Sequence, residues 1–381
     1  MMNQFQEAQS SFSYNNSRLR FGGSLLVTET DPINFRGTLP FQLPFATVSA
    51  ESDVVDVRVD IKDQGLAVIN LLNPELNWQE GKGLVQLRIS GSLQQPETGG
   101  IKLDLKPEGL FKIQDAVLTA RSLEQSIIGL SGTAIFIGDR IQVKDIEGDL
   151  QGDKGTGHIR LSGVLPVSRP FGENDPDLGT PLQLDLEKLT LNLPEIYKGN
   201  ADGAILFTGT LLKPKLGGEV ILSQGKVTLP SEETAKLPTD TTDTTQPPVD
   251  VSLNRLRLTL GDNIQVMTTP ILNAPLINFN AQGTIELNGS LANINDIRPQ
   301  GTIDLTGGQV NLYTSQLRLD RGYPQRAIFV PSEGLDPILD VRLVTRVPET
   351  LRFVSPPSAF PAEQTEALSP SRFGNRPNHQ N

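Results

Sequence analysis

Apolar and polar residues alternate with period two along most of the chain, and glycine interrupts the alternation at recurring places. In GTIDLTGGQVNLY (301–313) the apolar positions are Ile303 and Leu305, then Val310 and Leu312. Asp304 and Asn311 hold the opposite parity, and Gly307-Gly308 separates the halves. This pattern predicts strand, turn, strand with one apolar face. A turn at Gly307-Gly308 would let both halves show their apolar side chains to one side.

The stretch belongs to a repeat. GAILFTGTL (203–211) aligns with GTIELNGSL (283–291), and GEVILSQGKVTL (218–229) aligns without a gap on GTIDLTGGQVNL (301–312). Shorter copies stand at LRISGSL (87–93) and GHIRLSGVL (157–165). The unit is apolar-x-apolar-x-Gly-x-Leu, a spacer, then Gly-x-apolar-x-apolar and a turn. Glycine takes positive φ without strain and so suits a turn or bulge after each short run. Units that contact only their neighbours build a structure lengthened by repetition. The fold class expected is therefore mainly β: a long repetitive antiparallel meander folded into a trough, with little helix. RSLEQSIIGL (121–130) and PSEETAKL (230–237) are the helical candidates, and the first reads equally well as a strand.

Composition supports a thin apolar layer. Hydrophobic residues are 37% and aromatic residues 5% of the chain, with 35 Gly and 28 Pro, a profile of strands and turns sharing little core. The organisation read from it is a poorly defined segment 1–20, a repetitive β region 21–230 and a low-complexity loop 231–250 containing TDTTDTTQPP. A C-terminal region 251–353 and a disordered tail 354–381 follow. SRPFGENDPDLGTP (168–181) reads as a further loop.

The net charge of −11 argues against a nucleic-acid partner. Cysteine is absent, which removes thiolate ligands and thiol nucleophiles. No run long and apolar enough to span a bilayer is present, and the N-terminus lacks a basic stretch followed by an apolar core. The chain is expected either to be soluble in the compartment of synthesis or to be a piece of something longer whose anchor lies outside this sequence, and the repeats favour the second. Of the two histidines, His158 sits on the polar parity of a strand and His379 in the expected tail. ENDPDLG (173–179) and GDLQGDKGTG (148–157) carry acids at turn spacing rather than calcium-loop spacing. No catalytic residue, cofactor or metal site is expected, and the chain does not read as an enzyme.

The apolar face either closes on itself as a core or lines a trough. The residues expected to line it are Ile205, Phe207, Val220, Leu222, Val227, Leu229, Ile285, Leu287, Ile303, Leu305, Val310 and Leu312.

Toward the C-terminus, Gly308, Val310, Leu317 and Leu319 lead into Ala327-Ile328-Phe329-Val330 and then Leu335-Asp336-Pro337-Ile338-Leu339-Asp340. Through these residues the segment Gly283–Pro348 resembles the C-terminal domain of the translocation and assembly module TamB family, whose relatives include AsmA-like lipid transporters. The family's closing strands are not recognisable after Thr350. The resemblance implies a periplasmic β-taco, anchored in the inner membrane from outside this sequence, whose apolar groove holds phospholipid acyl chains. It also implies support of outer-membrane protein insertion and secretion, with an Omp85-class barrel as partner. The alternative is a chaperone-like β scaffold for outer-membrane protein assembly, with a closed core and no lipid cargo. The conduit has an energetic motive: at ~0.8 kcal/mol per CH₂, a lipid with two chains of about 16 carbons faces on the order of 25 kcal/mol in bare water.

Overall fold

The computed structural model describes residues 7–27, 30–42, 52–73, 75–94, 102–152, 155–170, 179–194, 196–229, 251–268, 270–271, 274–312 and 315–345. All of them belong to one compact unit, Met1–Thr345. The helical candidate 230–237, the loop 231–250 and the tail 354–381 lie outside the described residues. Strand accounts for 77% of the described residues and helix for 5%.

The first strands are β1 (Glu7–Asn15), β2 (Arg18–Leu26), β3 (Ile33–Pro40), β4 (Val54–Lys62), β5 (Leu76–Gln94), β6 (Lys102–Ala120) and β7 (Ser126–Ile137). Next come β8 (Arg140–Gly152), β9 (Gly155–Pro166), β10 (Leu182–Leu193), β11 (Tyr197–Thr210), β12 (Lys213–Leu229) and β13 (Ser252–Thr268). A two-strand ribbon, β14 (Pro270–Ile271) with β15 (Ala274–Pro275), precedes β16 (Ile277–Ser290) and β17 (Arg298–Leu312). The series closes with β18 (Ser315–Leu319), β19 (Arg326–Phe329), β20 (Ile338–Asp340) and β21 (Leu343–Val344).

Nineteen of these strands form one sheet that does not close into a barrel, the trough-like meander expected from the pattern. Each strand from β1 to β12 pairs antiparallel with its sequence neighbour. The exception to the antiparallel rule is β12 with β13, which run parallel. A parallel neighbour needs a connection long enough to return to the strand's start, and residues 230–251 supply that length. At the far end, β17 shares its free edge between β18 and β19, on which β21 and β20 pair in turn.

The repeat and the strands coincide. The first halves of the two strong copies are β11 and β16, and the second halves are β12 and β17. The turn expected at Gly307-Gly308, however, is not there: β17 runs straight through it. The register with β16 shifts between Asn280 and Ala281, leaving Thr306 as an extra residue. Gly225 in β12 likewise marks a bulge rather than a turn. A bulge changes parity without reversing the chain, so it satisfies the same alternation as a turn.

Such bulges recur mid-strand. Asp115, Asp145, Lys188, Gln224 and Asn263 all have positive φ (49, 41, 52, 50 and 56°), each beside a register shift in β6, β8, β10, β12 or β13. All five are exposed polar residues. Displaced amides find side-chain acceptors on the next strand: Asp115 N–H donates to Ser131 Oγ (2.9 Å) and Lys188 N–H to Asp202 Oδ1 (2.7 Å). Repeated from strand to strand, the bulges bend the sheet along one crease.

Two differences from the sequence reading follow from packing, and one open choice is settled. Residues 7–20 are not an undefined segment, because they hold β1 and the first three residues of β2, which pair as a hairpin. Of the helical candidate 121–130, residues 126–130 lie in β7. An unanticipated 3-10 helix, Asp63–Val68, continues into one α turn, Ile69–Leu72, capped by extended Asn73, the residue before a proline in the sequence. Its apolar run LAVINLL has helical length but no helical periodicity, because it is packed by the sheet rather than by its own face.

Candidate functional site

The repeated apolar positions fall into register across the sheet. Leu189, Ala201, Leu222, Leu260, Gly283, Ile303, Ala327 and Leu339 are successive cross-strand partners from β10 to β20. The parallel row Leu186, Gly203, Val220, Leu258, Ile285, Gly301 and Phe329 lies beside it. A third row holds Leu184, Ile205, Gly218, Leu256, Leu287 and Pro299. At ~4.8 Å per strand the first row is about 34 Å long.

Glycine serves these rows by leaving space. Gly283 faces Ile303 and Gly301 faces Ile285; a Cβ on Gly301 would lie 2.5 Å from Thr284 O and 3.2 Å from Ile285 Cγ2. Their φ values of +138 and +145° coil the strands where a side chain could not follow.

Burial varies along the strands. Val220, Leu222, Ile303 and Leu305 are buried and belong to one cluster with Leu186, Leu189, Ala201, Leu260, Ile264, Phe279 and Ala281. Ile205, Val227, Ile285 and Val310 are half-buried against it. Phe207 packs half-buried on a second cluster containing Val143, Leu165 and Leu182, and Leu287 is half-buried. Leu229 and Leu312, at strand ends, are 38% and 45% exposed. The apolar face is thus dry in two places, around Leu222 and Ile303 and around Leu165 and Leu182, with half-buried positions between them and exposed ones at strand ends.

Tyr197 braces the base. Its hydroxyl donates to Asn200 O (2.7 Å) and lies 3.1 Å from Ser223 O, and its ring fills space that a Cβ on Gly199 or Gly225 would occupy. Burial, opposed by the Ser223 contact, pushes the phenol up to about 12.

The LDPILD phrase closes the sheet. Leu339 extends the first apolar row onto β20, where it and Ile338 are each 54% exposed. Leu335 is 42% exposed in the preceding turn, which also carries Asp336 and Pro337. Asp340 accepts a hydrogen bond from Tyr323 (2.5 Å), whose ring lies 4.5 Å from the Arg342 guanidinium carbon. The Asp340 contact raises the Tyr323 phenol above its usual range. Buried Gln325 donates to Asp320 O and accepts from Arg342 N–H, holding the turn over the bulge of β17. A polar pocket of about 720 Å³ opens there, walled by Asn280, Thr306, Gln309, Arg318 and Arg321.

The outer face carries the charge. Arg88 holds Asp56 through two bonds (3.0 and 3.1 Å), keeping that carboxyl below its usual range. His158 pairs with Asp149 (2.9 Å) on the same polar parity. Among the described residues, no three acidic or histidine side chains converge as metal ligands. Sequence reasoning located the repeated apolar positions but missed Leu186, Leu258 and Leu260, on β10 and β13, which lack the full repeat, and Phe279, which precedes the repeat on β16; all share its period-two spacing.

Comparison with known proteins gives this surface relatives. The chain is 26% identical over 339 residues to the rice protein SUBSTANDARD STARCH GRAIN 4, chloroplastic, covering 77% of this chain and 15% of that one. It is 24% identical over 343 residues to TIC236, chloroplastic, of Arabidopsis thaliana, covering 76% and 15%. The chain thus spans about 15% of the length of these relatives. No solved structure matches. A family profile described as TamB C-terminal domain matches residues 147–377, so the likeness reaches back beyond Gly283 and forward beyond Thr350. With registered apolar rows, a creased open sheet and this match in hand, the chain belongs to the TamB family.

Proposed function

We propose that this chain is a groove segment of a TamB-type envelope protein, holding phospholipid acyl chains along its apolar rows and passing them between membranes without a catalytic residue. One observation carries the reading: three apolar rows continue in register from β10 to β17, the first reaching β20, and the outer two hold half-buried Ile205, Leu256, Ile285 and Leu287. A ligand of two alkyl chains matches a surface that is continuous, apolar and directionless along the strand stack. Transfer along it needs no chemistry, because each step exchanges one alkyl contact for an equivalent one.

The compartment proposed is the periplasm, or the corresponding space of a plastid envelope given the chloroplast relatives, with the membrane anchor outside this sequence. An Omp85-class barrel is the proposed partner in support of outer-membrane protein insertion and secretion. The exposed Ile338 and Leu339 on β20 favour that role, and a lipid-free scaffold for barrel assembly is the second reading they allow.

The test compares lipid retained by the purified chain, measured by mass spectrometry, with that retained by Ile285→Asp/Leu287→Asp. These half-buried positions leave the dry base intact. Severalfold less phospholipid is expected in the variant, and equal amounts would sink the groove assignment.

A further inference from the structure

The helical segment Asp63–Leu72 lies on the same apolar face as the rows described above. Leu66 and Ala67 are buried in a cluster with Trp78, Ile113, Ala116 and Leu118. That cluster shares Ile127 with the main one, and Phe111 and Ile146 with the cluster around Val143. Leu66 enters space left by Gly83, where a Cβ would lie 2.1 Å from its Cδ1. At this place the face is covered by the chain's own alkyl groups.

The cover is lightly held. Its helical part is one 3-10 stretch and a four-residue α turn, too short to be stable alone. Asn70 grips the Trp78 backbone, accepting from its N–H (2.5 Å) and donating to its carbonyl (3.2 Å). Asp63 accepts from Gly83 N–H (3.2 Å), and Asp31 accepts from Gln64 N–H (3.3 Å). Leu72 remains 78% exposed. Among the described residues, Trp78 Nε1 is a buried polar atom with no hydrogen-bond partner, a cost carried by the docked arrangement.

We infer that Asp63–Leu72 is an internal stopper: it fills a stretch of groove between β4 and β6 that a lipid acyl chain would otherwise occupy, and the two compete for it. The inference rests on the groove reading above. Leu66, Ala67 and the half-buried Ile69 offer the walls the same alkyl contact as a hydrocarbon chain, so exchange costs little apolar burial. The exchange breaks the hydrogen bonds made by Asn70, Asp63 and Gln64.

Trp78 is the single tryptophan of the chain and reports on the exchange. The full chain is titrated with phosphatidylcholine vesicles whose acyl chains are dibrominated or unlabelled, while Trp78 emission is followed and bound lipid is quantified. Two variants weaken docking differently: Asn70→Ala removes two hydrogen bonds, and Gly83→Ala pushes Leu66 out. Bromine quenching is expected at lower lipid concentration in both, by roughly tenfold for Asn70→Ala if each bond contributes about 0.5–1 kcal/mol. Either variant with an unchanged β circular-dichroism spectrum suffices. Bound lipid with identical quenching curves in wild type and variants overturns the stopper and leaves the groove standing. Lipid binding by none of the three overturns both.

Discussion

Gln125 and Thr190, 65 residues apart, are joined by a buried hydrogen bond of 2.7 Å from the Thr190 backbone N–H to Gln125 Oε1. The β6–β7 turn thereby completes the edge of β10 that β9 leaves unpaired beyond Glu187. Glu124 N–H donates to Thr190 O and Asn192 N–H to Ser122 O alongside it. Gln125→Leu keeps the side chain's bulk but strands a buried backbone donor. A loss of ~1–3 kcal/mol is expected, read as a lower urea midpoint; an unchanged midpoint would show the edge is not completed this way.

Gly307 and Gly308 are neighbours with opposite tolerance. A Cβ on Gly308, at φ +134°, would lie 2.2 Å from Asn278 O, whereas one on Gly307 would meet nothing closer than 3.7 Å. Gly308→Ala should cost about 2–4 kcal/mol and Gly307→Ala within about 0.5 kcal/mol. Thermal unfolding of both variants decides whether a bulge or a turn occupies this site, since a turn would penalise both.

The Tyr197 phenol is raised from 10.0 to about 12 in the folded chain. A raised folded value means that the stability it contributes is whole below pH 10 and is lost as pH climbs toward about 12. Tyr197→Phe is therefore expected to be less stable at neutral pH and to show a shallower decline over that alkaline window. Parallel declines in urea titrations at stepped pH would refute the assignment.

Position along the wall sets the cost of truncation. Ile303 is 5% exposed and Leu312 45%, so Ile303→Ala should destabilise by ~2–4 kcal/mol and Leu312→Ala by under about 1 kcal/mol. Similar losses from both in denaturant unfolding would contradict this difference in burial.

The Tyr323–Asp340 bond ties the turn after β18 to β20. In Tyr323→Phe, amide exchange is expected to quicken at Ile338, Leu339 and Asp340 while β17 stays protected. Uniform exchange across both strands would deny β20 this local tether.

Period-two alternation and the glycine repeat were enough to establish a one-sided β meander, because burial on one face imposes that spacing on any strand. They also located Ile303, Leu305, Val220 and Leu222, which the crease buries. The alternation could not separate a turn from a bulge at Gly307-Gly308, since both shift parity by one residue. Nor could it foresee the parallel pairing of β12 and β13, which depends on where a long connection returns the chain. LAVINLL docks where Gly83 leaves room beneath Leu66, a fit between residues on different elements. Local spacing thus determined which residues share a face. Tertiary packing alone decided where that face creases, which part is dry, and which stretch the chain covers with itself.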